Sequence, residues 1–137
     1  MNYEFHELHE LMRSLLFLAV SVILAACSST MPEEAAAESA KACFDLLVEG
    51  DAVRFLERKA GVDTLSADYG EQLLAAIRQY QHDIEQKHGG IREVCIADDQ
   101  SAFSTSQLST LILCYTDSTQ EAITVPMVER NGEWLMK

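Results

Sequence analysis

Residues 84–98 read IEQKHGGIREVCIAD, and the hydrophobic period changes in the middle of that stretch. Before Gly89-Gly90, the residues Leu73, Leu74, Ile77, Tyr80 and Ile84 recur at three- and four-residue intervals, the spacing of one helix face. The reading is a helix from about Ala67 to His88. After Gly90 the period falls to two, and residues 91–98 read as a strand rich in β-branched side chains. Paired glycines between the two patterns stop the first and open the second.

Toward the N-terminus, Ala36, Ala40, Cys43, Phe44, Leu47 and Val48 recur at helical spacing, with Pro32 suited to the first turn. Gly50-Asp51 reads as a stop followed by a new N-cap, and Val53, Phe55, Leu56 and Ala60 continue a second short helix to Gly61. Toward the C-terminus, residues 101–110 are Ser/Thr-heavy and read as a loop or an irregular edge. Residues 111–116 (LILCYT) form the most apolar strand, closed by Asp117-Ser118-Thr119. Residues 122–129 (AITVPMVE) follow, where Pro126 suggests an edge position or a bulge. Asn131-Gly132 is a hairpin signal, because a type I′ turn needs positive φ at both central residues. Helices followed by an antiparallel meander define an α+β class. Alternation alone does not choose between Ile91/Cys95 and Val94/Ile96 as the buried set of the first strand.

The chain has 137 residues, room for one domain, and a formal charge of −12. Without residues 1–26 the balance is −10. Such a surface repels phosphate backbones, so nucleic acid is not an expected partner.

Residues 15–26, LLFLAVSVILAA, would span about 18 Å as a helix, too short for a hydrocarbon core of about 30 Å. They read as the apolar core of a signal peptide. Leu24-Ala25-Ala26-Cys27 resembles the lipobox of bacterial lipoproteins. That resemblance implies cleavage before Cys27, whose thiol then carries a diacylglyceryl group and whose new amino terminus carries an acyl chain. No other cofactor is expected. The implied organisation is a signal peptide at 1–26, a lipidated tether at 27–37 and a domain at 38–137. Ser28, where an aspartate would retain the protein at the inner membrane, implies an outer-membrane address if the source is Gram-negative. Residues 1–11 hold Glu4, Glu7 and Glu10 without a basic residue, whereas Met12-Arg13 leads directly into the apolar run; translation is expected to begin at Met12. His6 and His9 are three apart, not the four that a zincin helix needs.

The order helix, Gly-Asp, helix, antiparallel strands resembles the cystatin-like, or nuclear-transport-factor-two-like, α+β cone. The residues that carry the likeness are Phe44, the run from Leu47 to Asp51, and Val125 with the closing segment from Val128 to Lys137. It covers residues 38–137, and within that superfamily it looks most like small bacterial lipoproteins with a domain of unknown function. Leu135 replaces the basic residue usual after the tryptophan. The resemblance implies a curved sheet around helices, often with a pocket, and no particular activity.

With Cys27 committed to lipid, Cys43, Cys95 and Cys114 remain. Cys95 and Cys114, on strands that can be neighbours, are candidates for a disulfide in an oxidising compartment; the alternative is that all three are small buried apolar residues. No Cys-x-x-Cys is present and His82 and His88 face different ways on their helix, so no metal is expected. No catalytic residue is assigned either. The superfamily includes ketosteroid-isomerase-like enzymes, for which Glu93 with Tyr115 is the best available pair, and a solvated glutamate beside a core tyrosine is the better reading of that pair. The expected role is a membrane-anchored, non-enzymatic one in the cell envelope, through interaction with an envelope protein or as a structural element. The alternative is a small-ligand module whose pocket is lined by Tyr69, Tyr80, Phe103 and Tyr115.

Overall fold

The structure is a computed structural model that describes residues 31–98 and 107–137. Helix α1 (Pro32–Val48) opens on Pro32, with Glu33 and Glu34 in the first turn, where unpaired N–H groups favour negative charge. Helix α2 (Ala52–Glu57) is capped by Asp51, whose carboxylate accepts from the Arg54 N–H at 3.0 Å. A single 3-10 turn (Val62–Thr64) leads to α3 (Ala67–His88), where the Ser66 hydroxyl accepts from the Tyr69 N–H at 3.3 Å. Four antiparallel strands follow in the order β1 (Ile91–Ile96), β2 (Leu108–Tyr115), β3 (Gln120–Arg130) and β4 (Glu133–Met136). The class is α+β, with the helices packed against a curled sheet. Among the described residues no helix is long and apolar enough to cross a membrane.

Helix α1 lies across the sheet and touches all four strands. Its Ala36, Ala40, Cys43, Phe44 and Leu47 meet Val94, Leu111, Leu113, Val125 and Met127 in one core. Alanines on that face let helix and sheet approach closely, and the leucines fill the space between them. Leu111 and Leu113 are fully buried, and burying each such side chain contributes about 1.5–3 kcal/mol. Phe55 of α2 meets Phe44 edge to face, with centroids 5.3 Å apart.

The register resolves the ambiguity of the first strand. Val94 pairs with Leu113 and Ile96 with Leu111, so Val94 and Ile96 face the core. A register shift between Ile91 and Glu93 turns Ile91 inward as well and leaves Glu93 and Cys95 together on the outer face. At the other end of the sheet, Asn131 and Gly132 both have positive φ (53° and 77°), as the hairpin reading requires.

Four expectations change. Helix α1 starts at Pro32, inside the expected tether 27–37, and its Ala36 and Ala37 are buried, so the folded part begins earlier than residue 38. Helix α2 ends at Glu57 instead of continuing to Gly61, because the chain leaves it to pair with the end of β4. There the Met136 N–H donates to the Arg58 carbonyl at 3.0 Å and the Ala60 N–H to the Met136 carbonyl at 2.7 Å. Strand β2 starts at Leu108, so Ser109 and Thr110 belong to it, opposite Val125 and Thr124. Strand β3 is internal, yet it contains Pro126. The proline falls where β3 changes partner along its length, and the Pro126 carbonyl accepts from the N–H of the terminal Lys137 at 2.9 Å. Backbone N and carbonyl of one strand residue point the same way, so the missing donor faces the point where the neighbouring strand runs out.

Candidate functional site

The face of α3 is only partly covered. Ile84 is its one buried residue, and Leu73, Leu74 and Ile77 are half-buried. A cleft of about 420 Å³ opens between this helix, the end of α1 and the start of β1. Leu47, Ile84 and Ile91 supply apolar wall, and Tyr80, His82 and Glu85 supply polar groups. Gln81 fastens the two helices across the cleft: its side-chain N–H donates to the Leu47 carbonyl at 3.3 Å, a second donor beside the Gly50 N–H at 3.0 Å. Gly90, at φ 102°, forms the floor, and a Cβ there would lie 2.7 Å from Glu85 Oε2. The absence of a side chain at Gly90 is what lets the Glu85 carboxylate lie over the backbone. Burial and the Glu121 carboxylate push the Tyr80 phenol up, so it is a neutral hydrogen-bonding group at ordinary pH.

Beside the cleft, the end of α3 meets the β2–β3 turn in a second polar group. His88 Nδ1 is 2.8 Å from Asp117 Oδ2, and the Thr119 hydroxyl donates to Asp117 Oδ1 at 2.5 Å. The Tyr115 hydroxyl donates to Glu121 Oε2 at 2.6 Å, and burial together with that carboxylate pushes its phenol up. Thr119, His88 and Asp117 look superficially like a catalytic triad. In a triad the two ring nitrogens face different partners, one the nucleophile and one the carboxylate. Here Nδ1 faces both Thr119 and Asp117, and the threonine proton is engaged by the carboxylate. The arrangement braces a turn.

The outer face of the sheet carries a third cluster. Glu93 stands opposite Cys114, and Cys95 stands opposite Ile112, so the two thiols are diagonal neighbours on one face. The carboxylate and both sulfurs lie within 4.8 Å of one another. Both thiols are free and half-buried; desolvation first, then Glu93 and Cys114, push the Cys95 thiol up. Cys43 lies fully buried on the opposite side of the sheet. Its burial raises the thiol pKa, while the neighbouring Arg58 guanidinium pulls it back; Arg58 also donates to Glu133 Oε1 at 2.7 Å.

Of the four expected pocket residues, Tyr80 lines the cleft. Tyr69 projects from the first turn of α3, 49% exposed, and Tyr115 is only 2% exposed in the core. Phe103 and Cys27, the expected site of lipidation, lie outside the described residues, as does the expected start at Met12. Glu93 and Tyr115 do not form a pair: Glu93 is on the outer face and Tyr115, opposite Ile91, is on the core face. His82 and Glu85 were missed as cleft residues, although the Gly89-Gly90 stop beside an i,i+3 His/Glu pair marks where a helix end leaves room. The Glu93–Cys95–Cys114 cluster has no linear signature beyond Glu-x-Cys, since its third member comes from another strand.

These helices against a four-stranded curled sheet define an NTF2-like cone. A solved Campylobacter jejuni protein, carrying the provisional name NTF2-like transpeptidase, superposes with a TM-score of 0.54 over 71% of this chain and 92% of its own. The two are 11% identical, so the likeness is one of fold. No family model and no curated protein matches the chain.

Proposed function

We propose that this chain is a lipid-tethered, non-enzymatic binding module of the bacterial cell envelope that takes a small ligand into the cleft beside α3. The cleft carries the reading. Its volume of about 420 Å³ falls within the roughly 300–1,000 Å³ usual for ligand sites, and its mixture of apolar wall with a few convergent polar groups is the usual composition. A neutral phenol, an imidazole and a carboxylate suit a ligand with an apolar body and a hydrogen-bond donor or cationic group, which the net charge of −10 on residues 27–137 also attracts. The lipobox-like Leu24-Ala25-Ala26-Cys27 supports the tether. With α1 starting at Pro32, four residues separate it from Cys27, a reach of at most about 18 Å over the five steps from Cys27 to Pro32. The module then works close to the membrane surface, in the outer membrane if the source is Gram-negative.

Native mass spectrometry of the chain purified from its host in mild detergent tests this. A co-purifying small molecule that is lost on Ile91→Trp, which fills the cleft, supports the reading; a chain that is persistently empty overturns it.

A second reading, contact with an envelope protein, draws on the outer face of the sheet, where Leu108 is 37% exposed and Ile112 is half-buried. A photo-crosslinker at position 112 that captures one envelope protein in intact cells would favour it.

A further inference from the structure

We propose that Glu93, Cys95 and Cys114 form a zinc-binding site on the outer face of the sheet. The proposal is independent of the cleft. Two features of the fold assemble the donors. The alternation of β1 puts Glu93 and Cys95 on the same face, and the pairing of Glu93 with Cys114 places the second thiol directly across. Side chains directly opposite in an antiparallel pair have Cβ atoms about 4.5–5.5 Å apart, close enough for both to reach one ion.

The geometry fits a tetrahedral ion. At a Zn–S bond of about 2.3 Å, two thiolates at the tetrahedral angle are about 3.8 Å apart. The three donor atoms already lie within 4.8 Å of one another, so side-chain rotations of less than about an ångström per atom close the set. The donor chemistry narrows the ion. Two thiolates exclude magnesium and calcium, which take oxygen ligands. A carboxylate beside them favours borderline zinc(II) over copper(I), which prefers an all-sulfur set. Three protein donors leave the fourth position to water. Binding replaces two S–H bonds with two Zn–S bonds and releases both protons to solvent, with no change of oxidation state. Two sulfurs that hold zinc cannot also be a disulfide, so the site and the Cys95–Cys114 bridge are mutually exclusive.

The test is titration of the full chain, purified in mild detergent under reducing conditions, with zinc alone and with cobalt(II) as a spectroscopic substitute. One zinc per chain is expected, with two protons released and thiolate-to-cobalt charge transfer in the near ultraviolet. Changes outside the ligand shell typically weaken metal sites about 10–100-fold, so Cys95→Ser and Cys114→Ser should each exceed about 100-fold. Glu93→Gln should weaken binding about tenfold and keep the charge-transfer band, and Cys43→Ser should change nothing. Both outer-face thiols are half-buried, so their serine variants keep the core intact, which circular dichroism checks. Unchanged zinc affinity in Cys114→Ser overturns the proposal. So does a Cys95–Cys114 disulfide in protein taken from the host, seen as a mass two hydrogens lower with no thiol labelling at either position.

Discussion

The ring of His88 lies flat on that of Tyr115, centroids 4.0 Å apart and planes within 4° of parallel. The contact joins the last residue of α3 to the last residue of β2. Because a carboxylate only accepts, the bond from His88 Nδ1 to Asp117 makes that nitrogen the donor. The stacked ring is therefore oriented from its edge by the turn and from its face by the core. The Asp117 N–H also donates to the His88 carbonyl at 3.1 Å, so helix end and turn are joined through backbone and side chain alike.

Asp117 makes this brace sensitive to acid. Hydrogen bonds from Thr119 and then from His88 lower its carboxyl from the ordinary 3.8 to about 2. A folded-state value below the unfolded one contributes stability that is present above about pH 4 and lost as pH falls toward 2. Asp117→Asn should therefore melt at lower temperature than the parent at pH 7, with the gap narrowing below pH 4 and closing near pH 2. Thermal melts at several pH values check this, and a gap that widens in acid would contradict it.

Ser109 is 1% exposed, and its hydroxyl has no hydrogen-bond partner among the described residues. An unpaired buried hydroxyl destabilises by roughly 1–3 kcal/mol, partly offset by the small packing loss on its removal. Ser109→Ala should stabilise the fold by about 1 kcal/mol, read as a higher urea midpoint at unchanged slope. A destabilised variant would show that the hydroxyl has a partner.

The class and most elements of the fold were legible because they rest on local signals: the period change at Gly89-Gly90, the Asp51 cap, the Asn131-Gly132 turn. What was not legible depended on distant partners. Nothing local ends α2 at Glu57; Met136, far along the chain, takes over the backbone groups of Arg58 and Ala60. Nothing in the Ser/Thr run shows that Ser109 faces a core, because its neighbours there, Val125 and Leu111, come from pairing and pleat. The cleft was half legible. Tyr80 falls on the expected helix face, but which aromatic residues share a cavity is a matter of how α1 and α3 diverge. The sulfur cluster was invisible to linear spacing for the same reason.

The short tether makes the Cys27 expectation testable in a simple form. On the lipoprotein reading, Cys27→Ser should move the protein from the membrane fraction to the soluble fraction, since without the thiol no diacylglyceryl group would be attached. The core begins at Ala36, beyond the lipid attachment, so the variant should unfold at the same temperature as the parent. Fractionation together with thermal melting reads both halves. Membrane retention of a folded Cys27→Ser protein would count against the lipoprotein reading.

Gly90 allows backbone strain and side-chain crowding to be separated at the cleft. Its φ of 102° is a conformation that alanine adopts only with strain, and a Cβ there would meet Glu85 Oε2 at 2.7 Å. The carboxylate is the far end of a flexible side chain and can swing away, whereas the φ is set by the turn from α3 into β1. Most of the loss should therefore be conformational: Gly90→Ala should destabilise by more than about 1 kcal/mol. Adding Glu85→Ala removes the crowding and leaves the backbone strain, so the double variant should recover less than half of that loss, measured by urea unfolding as a double-mutant cycle. Full recovery would mean that the carboxylate, and not the backbone, requires glycine at this position. The same pair bears on binding. A displaced Glu85 alters the polar wall of the cleft, so Gly90→Ala should lower the occupancy of any co-purifying ligand even under conditions where the variant is fully folded.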